Sequence, residues 1–290
     1  MRCLFEHCKE AVEYASRTKT FGAYYSERQS PDRDIHVHEC CEILLCLSGG
    51  EHFLIDNRVY DVSDGDLFII NQFEAHKITV RQGADFRRFV LELHPTFLYA
   101  SSTEETNLLD CFSHANGAKN KLSLSAEETE TLVSLFRELS AEEAYGDDLI
   151  KKSTVLRILV YIRRLYETRA DEPPVAGERH RAVRLAIEYI NENYAQELSL
   201  EAISKVCFVS VNQLCRLFRR FCGTTVSKYL TSKRIAEAKK LLSAGKNVTD
   251  AAYLSGFNDY ANFIRVFKSH VGISPGKYKA QLDAYRISPV

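Results

Sequence analysis

The chain has 290 residues, 45% of them hydrophobic, with 38 Lys and Arg set against 39 Asp and Glu. That length exceeds one typical domain, and the apolar content suffices for packed cores, so two domains are expected. The near-zero net charge hides an asymmetry: residues 181–290 hold 17 basic against 8 acidic side chains, and residues 1–180 hold 21 against 31, which suits a nucleic-acid-binding half joined to one that does not touch nucleic acid.

The N-terminus, Met1 to His7, carries charges and no apolar stretch of signal-peptide length. Nowhere does an apolar run approach the roughly 18–20 residues of a membrane span, so a soluble, cytoplasmic protein is expected. The nine cysteines include no Cys-x-x-Cys pair and no zinc-finger spacing, and reduced thiols are expected. The adjacent Cys40 and Cys41 read as buried small hydrophobes, or as a redox sensor.

Residues 3–16 suit a short amphipathic helix or a packing arm. From Gly22 to about Leu93 short β-rich runs follow: Ala23–Tyr25, Glu42–Leu47, His52–Ile55, Leu67–Ile70, His76–Val80 and Phe86–Leu93. Turn residues such as Ser48-Gly49-Gly50 and Ser63-Asp64-Gly65-Asp66 separate them. Many short strands at this spacing predict a sandwich or barrel of jelly-roll type. Residues 104–167 turn helical. The helix predicted over about Asp148–Thr168 repeats apolar residues at Leu149, Val155, Leu156, Leu159, Val160, Ile162, Leu165 and Tyr166. That stripe is wide enough to cover both the barrel and a second subunit. A Pro- and Gly-containing charged stretch from Arg169 reads as a semi-extended linker over 169–180.

After a helix over about Arg181–Tyr194, with Val183, Ala186, Ile187 and Ile190 as its buried face, a stretch occurs twice: Ala202–Tyr229 and Ala251–Tyr278. At an offset of 49 residues Ala202 falls on Ala251, Phe208 on Phe257, Arg216 on Arg265, Gly223 on Gly272 and Tyr229 on Tyr278. Each copy reads as a short helix, a tight turn and a second helix. Ser210 with Gln213 forms a capping box, and Asp259 is the second copy's cap. Apolar residues follow at helical spacing: Leu214, Leu217, Phe218 and Phe221, then Phe263, Val266, Phe267 and Val271. Two such units predict two helix-turn-helix modules, each offering its second helix to a major groove. The exposed first turns carry the base readers: Asn212, Gln213 and Arg216 in one unit, Tyr260, Asn262 and Arg265 in the other. Asn212 and Arg216 rank above Gln213, which the capping box engages. Arg219, Arg220 and Lys268 are placed for phosphates. The helix predicted over Val226–Leu242, about 25 Å long, would hold the two readers near one DNA turn apart.

Residues from about 182 to 280 resemble the DNA-binding domain of the AraC family of bacterial transcription regulators. The family's second-unit pattern stands here as Val248-Thr249-Asp250-Ala251-Ala252, Gly256-Phe257, Phe263, Arg265, Phe267-Lys268, Gly272, Ser274-Pro275 and Tyr278. The N-terminal half carries a second resemblance, to the cupin motifs. His36-x-His38, Glu42 and Gly49 match the first, and Gly65 with His76 match a second whose usual Pro, Gly and late Asn are replaced by Asn71, Phe73 and Val80. AraC-type regulators commonly carry such a barrel as an effector domain. In metal-binding cupins the positions of His36, His38, Glu42 and His76 hold one divalent ion; in regulators the same pattern also occurs as polar packing without metal.

These resemblances imply a multidomain α+β protein. Residues 1–168 would be a cupin-like effector-binding β-barrel with a helical dimerisation segment, 169–180 a linker, and 181–290 an all-α double helix-turn-helix domain. They imply a homodimeric regulator that binds double-stranded promoter DNA, answers to a small-molecule effector and contacts RNA polymerase if it is an activator, the choice between activation and repression being left open. The effector pocket would use Tyr24, His36, His38, Glu42 and His76, with Tyr25, Phe53 and Phe68 as further lining. The alternative is a metal-dependent cupin enzyme, or a metal or redox sensor, with an accessory DNA-binding domain.

Overall fold

A computed structural model describes residues 5, 7–28, 34–56, 58–113, 120–139, 144–169 and 181–287. Short β-rich runs separated by turn residues build the N-terminal half. Strands β1 (Phe21–Arg28), β2 (Cys41–Ser48), β5 (Asp66–Ile70), β7 (Phe86–Leu93) and β8 (Lys121–Ser123) form an antiparallel sheet in the order β1-β7-β2-β5-β8. Facing it is a three-stranded sheet, β4-β3-β6, from Arg58–Asp61, Gly50–Ile55 and His76–Val80. The strands β4 and β8 were not anticipated; at four and three residues they are too short for alternation to show.

Strands β2, β5 and β7 are buried on both faces, which is why they read as near-continuous apolar runs. One face (Ile43, Leu45, Leu67, Ile69, Phe89, Leu91) packs beneath helices α3 (Ala126–Glu138) and α4 (Asp147–Thr168). The other (Leu44, Phe68, Ile70, Val90) meets Phe53, Ile55 and Ile78 of the small sheet and the helix α1 (Cys8–Thr18). The wide stripe on α4 divides accordingly. Leu159 and Ile162 of that stripe are core residues at 0% exposure. A groove lined by Leu135, Leu156, Val160 and Tyr161 remains beside them. Of the expected linker only Arg169 lies among the described residues; it ends α4 and binds the Glu128 carboxylate at 2.6 Å.

The C-terminal half runs α5 (Arg181–Asn193), α6 (Leu200–Val206), α7 (Val211–Cys222), α8 (Val226–Ser243), α9 (Val248–Leu254), α10 (Tyr260–Val271) and α11 (Pro275–Ile287). Helix α8 is its spine. Buried on several sides, it touches the first unit through Tyr229 on Phe218, and the second through Ile235, Ala238 and Leu242. No helix among the described residues is long and apolar enough to cross a membrane.

The internal repeat needs one correction. In the turn of the first unit the amides of Phe208 and Val209 donate to the carbonyls of Lys205 and Ser204; in the second, Gly256 and Phe257 donate to Tyr253 and Ala252. Phe208 is therefore the partner of Gly256, not of Phe257, and Ile203 rather than Ala202 matches Ala251. Up to the turn the offset is 48 residues; Asn258 then adds one, restoring 49 at the caps Ser210 and Asp259. Phe208 occupies the left-handed region at φ 56°, where its partner is a glycine at φ 89°, and it stands 84% exposed.

Candidate DNA interface and barrel site

Both second helices of the C-terminal half present the expected faces. On α7, Leu214, Phe218, Phe221 and Cys222 are buried, while Asn212, Gln213, Arg216, Arg219 and Arg220 are exposed. The cap is only half of the expected box: the Gln213 amide donates to Ser210 Oγ at 3.2 Å. On α10, Phe263 and Phe267 are buried and Tyr260, Asn262, Arg265 and Lys268 are exposed. Arg265 Nη2 donates to Asn262 Oδ1 at 2.7 Å, so these two present themselves as one unit. Exposed guanidinium and amide groups on a capped helix have the chemistry to read base edges.

The barrel holds a cluster of another kind. His36 and His38 lie on a segment, 34–40, whose backbone bridges β6 at His36 and His76. Each imidazole is fixed by its Nδ1: His36 on the Asp34 carbonyl at 2.9 Å, His38 on Cys40 at 3.0 Å, His76 on Glu74 at 2.9 Å. A carbonyl only accepts, so each Nδ1 carries a hydrogen, and Nε2 offers a lone pair in the neutral ring or a second hydrogen in the imidazolium. The ligating nitrogens of the three rings lie within 4.8 Å of one another. Against them stands Glu42, its Oε2 3.2 Å from His38 Nε2 and 3.3 Å from His76 Nε2. Burial opposes its charge, yet the His76 and His38 imidazoles hold Glu42 well below the carboxylate range. Burial lowers the pKa of His38; at His76 the same effect is outweighed by Glu42, and its pKa is raised.

Glu92 was missed in the sequence. It projects from β7, fully buried, with Oε2 3.7 Å from His38 Nε2. Its signal was present: one carboxylate inside the apolar run Phe89-Val90-Leu91-Glu92-Leu93, where a buried charge needs a partner. The adjoining cavity, about 40 Å³, is lined by Cys8, Tyr24, His36, Glu42, Phe53, His76 and Arg88 among others. Tyr24 thus sits where the pocket was expected. Tyr25 points the other way, onto Phe89 at 5.1 Å, and Phe68 lies behind Phe53. The redox reading of Cys40 and Cys41 is not supported: both are buried, which pushes their thiols up, Cys41 to about 12, far from a reactive thiolate.

Residues 21–159 match a family model described as an AraC-like ligand binding domain, and residues 203–281 match a helix-turn-helix domain. The HTH-type transcriptional regulator YdeC of Bacillus subtilis is 26% identical over 84% of this chain and 85% of its own length. The melibiose operon regulatory protein of Escherichia coli is 22% identical over 84% of this chain and 82% of its own. Among solved structures, ToxT from Vibrio cholerae aligns over 90% of this chain and 98% of its own, at 15% identity and a TM-score of 0.36.

Proposed function

Since this chain belongs to the AraC family of DNA-binding transcription regulators, with an N-terminal ligand-binding domain, we propose that its barrel ligand is a divalent transition-metal ion and that this ion controls promoter occupancy. In this reading residues 1–168 sense and dimerise, 169–180 link, and 181–290 bind DNA. Helices α7 and α10 enter successive major grooves on one face of the duplex, spaced by α8. Asn212, Gln213, Arg216, Asn262, Arg265 and Tyr260 face base edges; Arg219, Arg220 and Lys268 face phosphates. The protein acts in the cytoplasm as a homodimer joined along the outer face of α4, and contacts RNA polymerase where it activates.

One observation carries the metal reading. Three imidazoles whose Nδ1 atoms are held by backbone carbonyls bring their ligating nitrogens within 4.8 Å of one another, and two of them, His38 and His76, set Nε2 against the buried Glu42 carboxylate. Buried imidazoles against a carboxylate need a shared positive charge, from a proton or from a metal ion, and fixed Nδ1–H groups are what orient imidazole ligands in metal sites. His36, His38 and His76 through Nε2 and Glu42 through its carboxylate would hold the ion, with Glu92 behind His38. Three nitrogens and a carboxylate suit Zn, Fe, Mn or Ni. The ion would supply the positive charge that a proton otherwise brings to the cluster. The adjoining cavity, about 40 Å³, has room for roughly three water-sized spheres, which favours an ion over an organic substrate. The site is therefore read as a sensor and not as a cupin enzyme.

Metal analysis of the purified protein, followed by binding to fragments of its native upstream region with and without chelator, tests this. A stoichiometric transition metal and a chelator-dependent change in DNA affinity are expected. Metal-free protein that takes up no Zn, Fe, Mn or Ni on titration refutes it.

A further inference from the structure

The segment 34–40 has two faces that do different things. His36, His38 and Cys40 turn into the barrel, the two histidines onto Glu42 and His76. The residues between them turn to the DNA-binding half. Ile35 is buried in the core of the first helix-turn-helix unit, and Val37 packs against the cores of both units. Glu39 Oε1 receives the Lys239 ammonium at 2.9 Å. Asp34, at the start, binds Lys77 of the barrel and Lys228 of α8. Alternation in an extended segment explains the division: successive side chains leave opposite faces.

The rest of the contact completes a docking surface on α8. Its Tyr229 hydroxyl donates to the Asp56 carbonyl, and Lys233 meets the Asp56 carboxylate at 3.4 Å. At the end of α7 the Phe221 ring sits 5.0 Å from His52, and Gly223 approaches so closely that a Cβ there would lie 2.7 Å from a Thr79 methyl. Lysines at 228, 233 and 239 of one helix thus match Asp34, Asp56 and Glu39 of the barrel. The base-reading faces of α7 and α10 point elsewhere and stay exposed.

The geometry points to segment 34–40 as the coupling element of this regulator: the strip that carries His36 and His38 also seats α8, so occupancy of the barrel site changes how the spine of both DNA-reading units is held. This rests on the metal reading above. Binding needs no blocked groove to be controlled; α8 bears both reading helices, and a shift of its seat alters their joint fit to two grooves. The differential contact that such coupling requires is the ligand pair on one face of the strip and the Ile35, Val37 and Glu39 contacts on the other.

The test uses full-length protein, zinc as probe, and the variants Asp34→Asn, Val37→Ala and Glu39→Gln. Zinc should change the operator affinity of the wild type by about tenfold, a usual size for such coupling, and change the amide exchange of residues 226–243. The variants should take up zinc as the wild type does, yet respond less than about twofold, as expected when most of a tenfold coupling is removed. Failure of the wild type to bind zinc removes the metal reading and this coupling with it. Zinc uptake by the wild type without any change in exchange over 226–243, or a full response retained in all three variants, overturns the coupling alone.

Discussion

The Lys239 ammonium lies 2.9 Å from the Glu39 carboxylate, although one belongs to the spine of the DNA-binding half and the other to the segment that carries His38. The lysine side chain is 2% exposed, and the rings of Phe73 and Tyr278 stand 5.6 and 5.5 Å from it. Losing the carboxylate strands the lysine charge out of water, and losing the lysine leaves a mostly buried carboxylate without its cation. Lys239→Met or Glu39→Gln alone should each destabilise by about 3 kcal/mol, and the double variant by clearly less than the sum. Urea denaturation of the four proteins closes the cycle; additive losses would show the pair to be independent.

Base reading and phosphate contact should separate on α7. Arg216 is exposed on the face opposite Leu214 and Phe218, whereas Arg220 lies a turn further on, with its guanidinium 5.3 Å from the Phe221 ring. Arg216→Ala should cost about 1–3 kcal/mol at the operator and almost nothing on unrelated duplex. Arg220→Ala should weaken both alike and flatten the salt slope by about one unit. Isotherms on both duplexes over a salt series decide it.

Phe208 holds a backbone shape that its counterpart in the second unit leaves to glycine. Left-handed geometry costs an L-residue about 1–2 kcal/mol, part of which glycine's unfolded-state freedom offsets. With its ring 84% exposed, little packing is lost on truncation. Phe208→Gly should therefore stabilise by about 1 kcal/mol. Gly256→Ala should do the reverse, because its Cβ would lie 2.5 Å from the Tyr194 carbonyl oxygen. Thermal unfolding of both variants is the measurement.

Subunit pairing, if it uses α4, must use the side away from the barrel. Leu156→Glu with Val160→Glu should dissociate a dimer and leave the fold intact, as seen by sedimentation together with circular dichroism. Leu159→Glu should instead unfold the N-terminal half, since it places a charge at a fully buried position.

Glu92 gives a separate handle on the barrel site. Glu92→Gln keeps the shape and removes the charge behind His38. Zinc affinity should fall by about 10–100-fold, the usual effect of an outer partner in a metal site. Calorimetric titration with zinc would read it; unchanged affinity would assign Glu92 to its contact with Cys8 Sγ at 3.7 Å.

What the sequence determined by itself was whatever is written in local spacing. The caps Ser210 and Asp259, the 3.6-residue rhythm behind them and the paired exposed arginines specify two helix-turn-helix units because a helix's buried and exposed faces are set by neighbours three and four residues away. The strands from Glu42 to Leu93 were legible as short β-rich runs bounded by turn residues. The one-residue insertion at Asn258 escaped because side-chain identity hides where a turn's backbone hydrogen bonds fall. Only the tertiary structure decided which of the stripe residues on α4 face the barrel, that Glu92 joins His38 from a strand fifty residues away along the chain, and that Lys239 meets Glu39. Those pairings depend on how sheets and helices stack, and chain spacing carries no record of which distant charge will share a buried space.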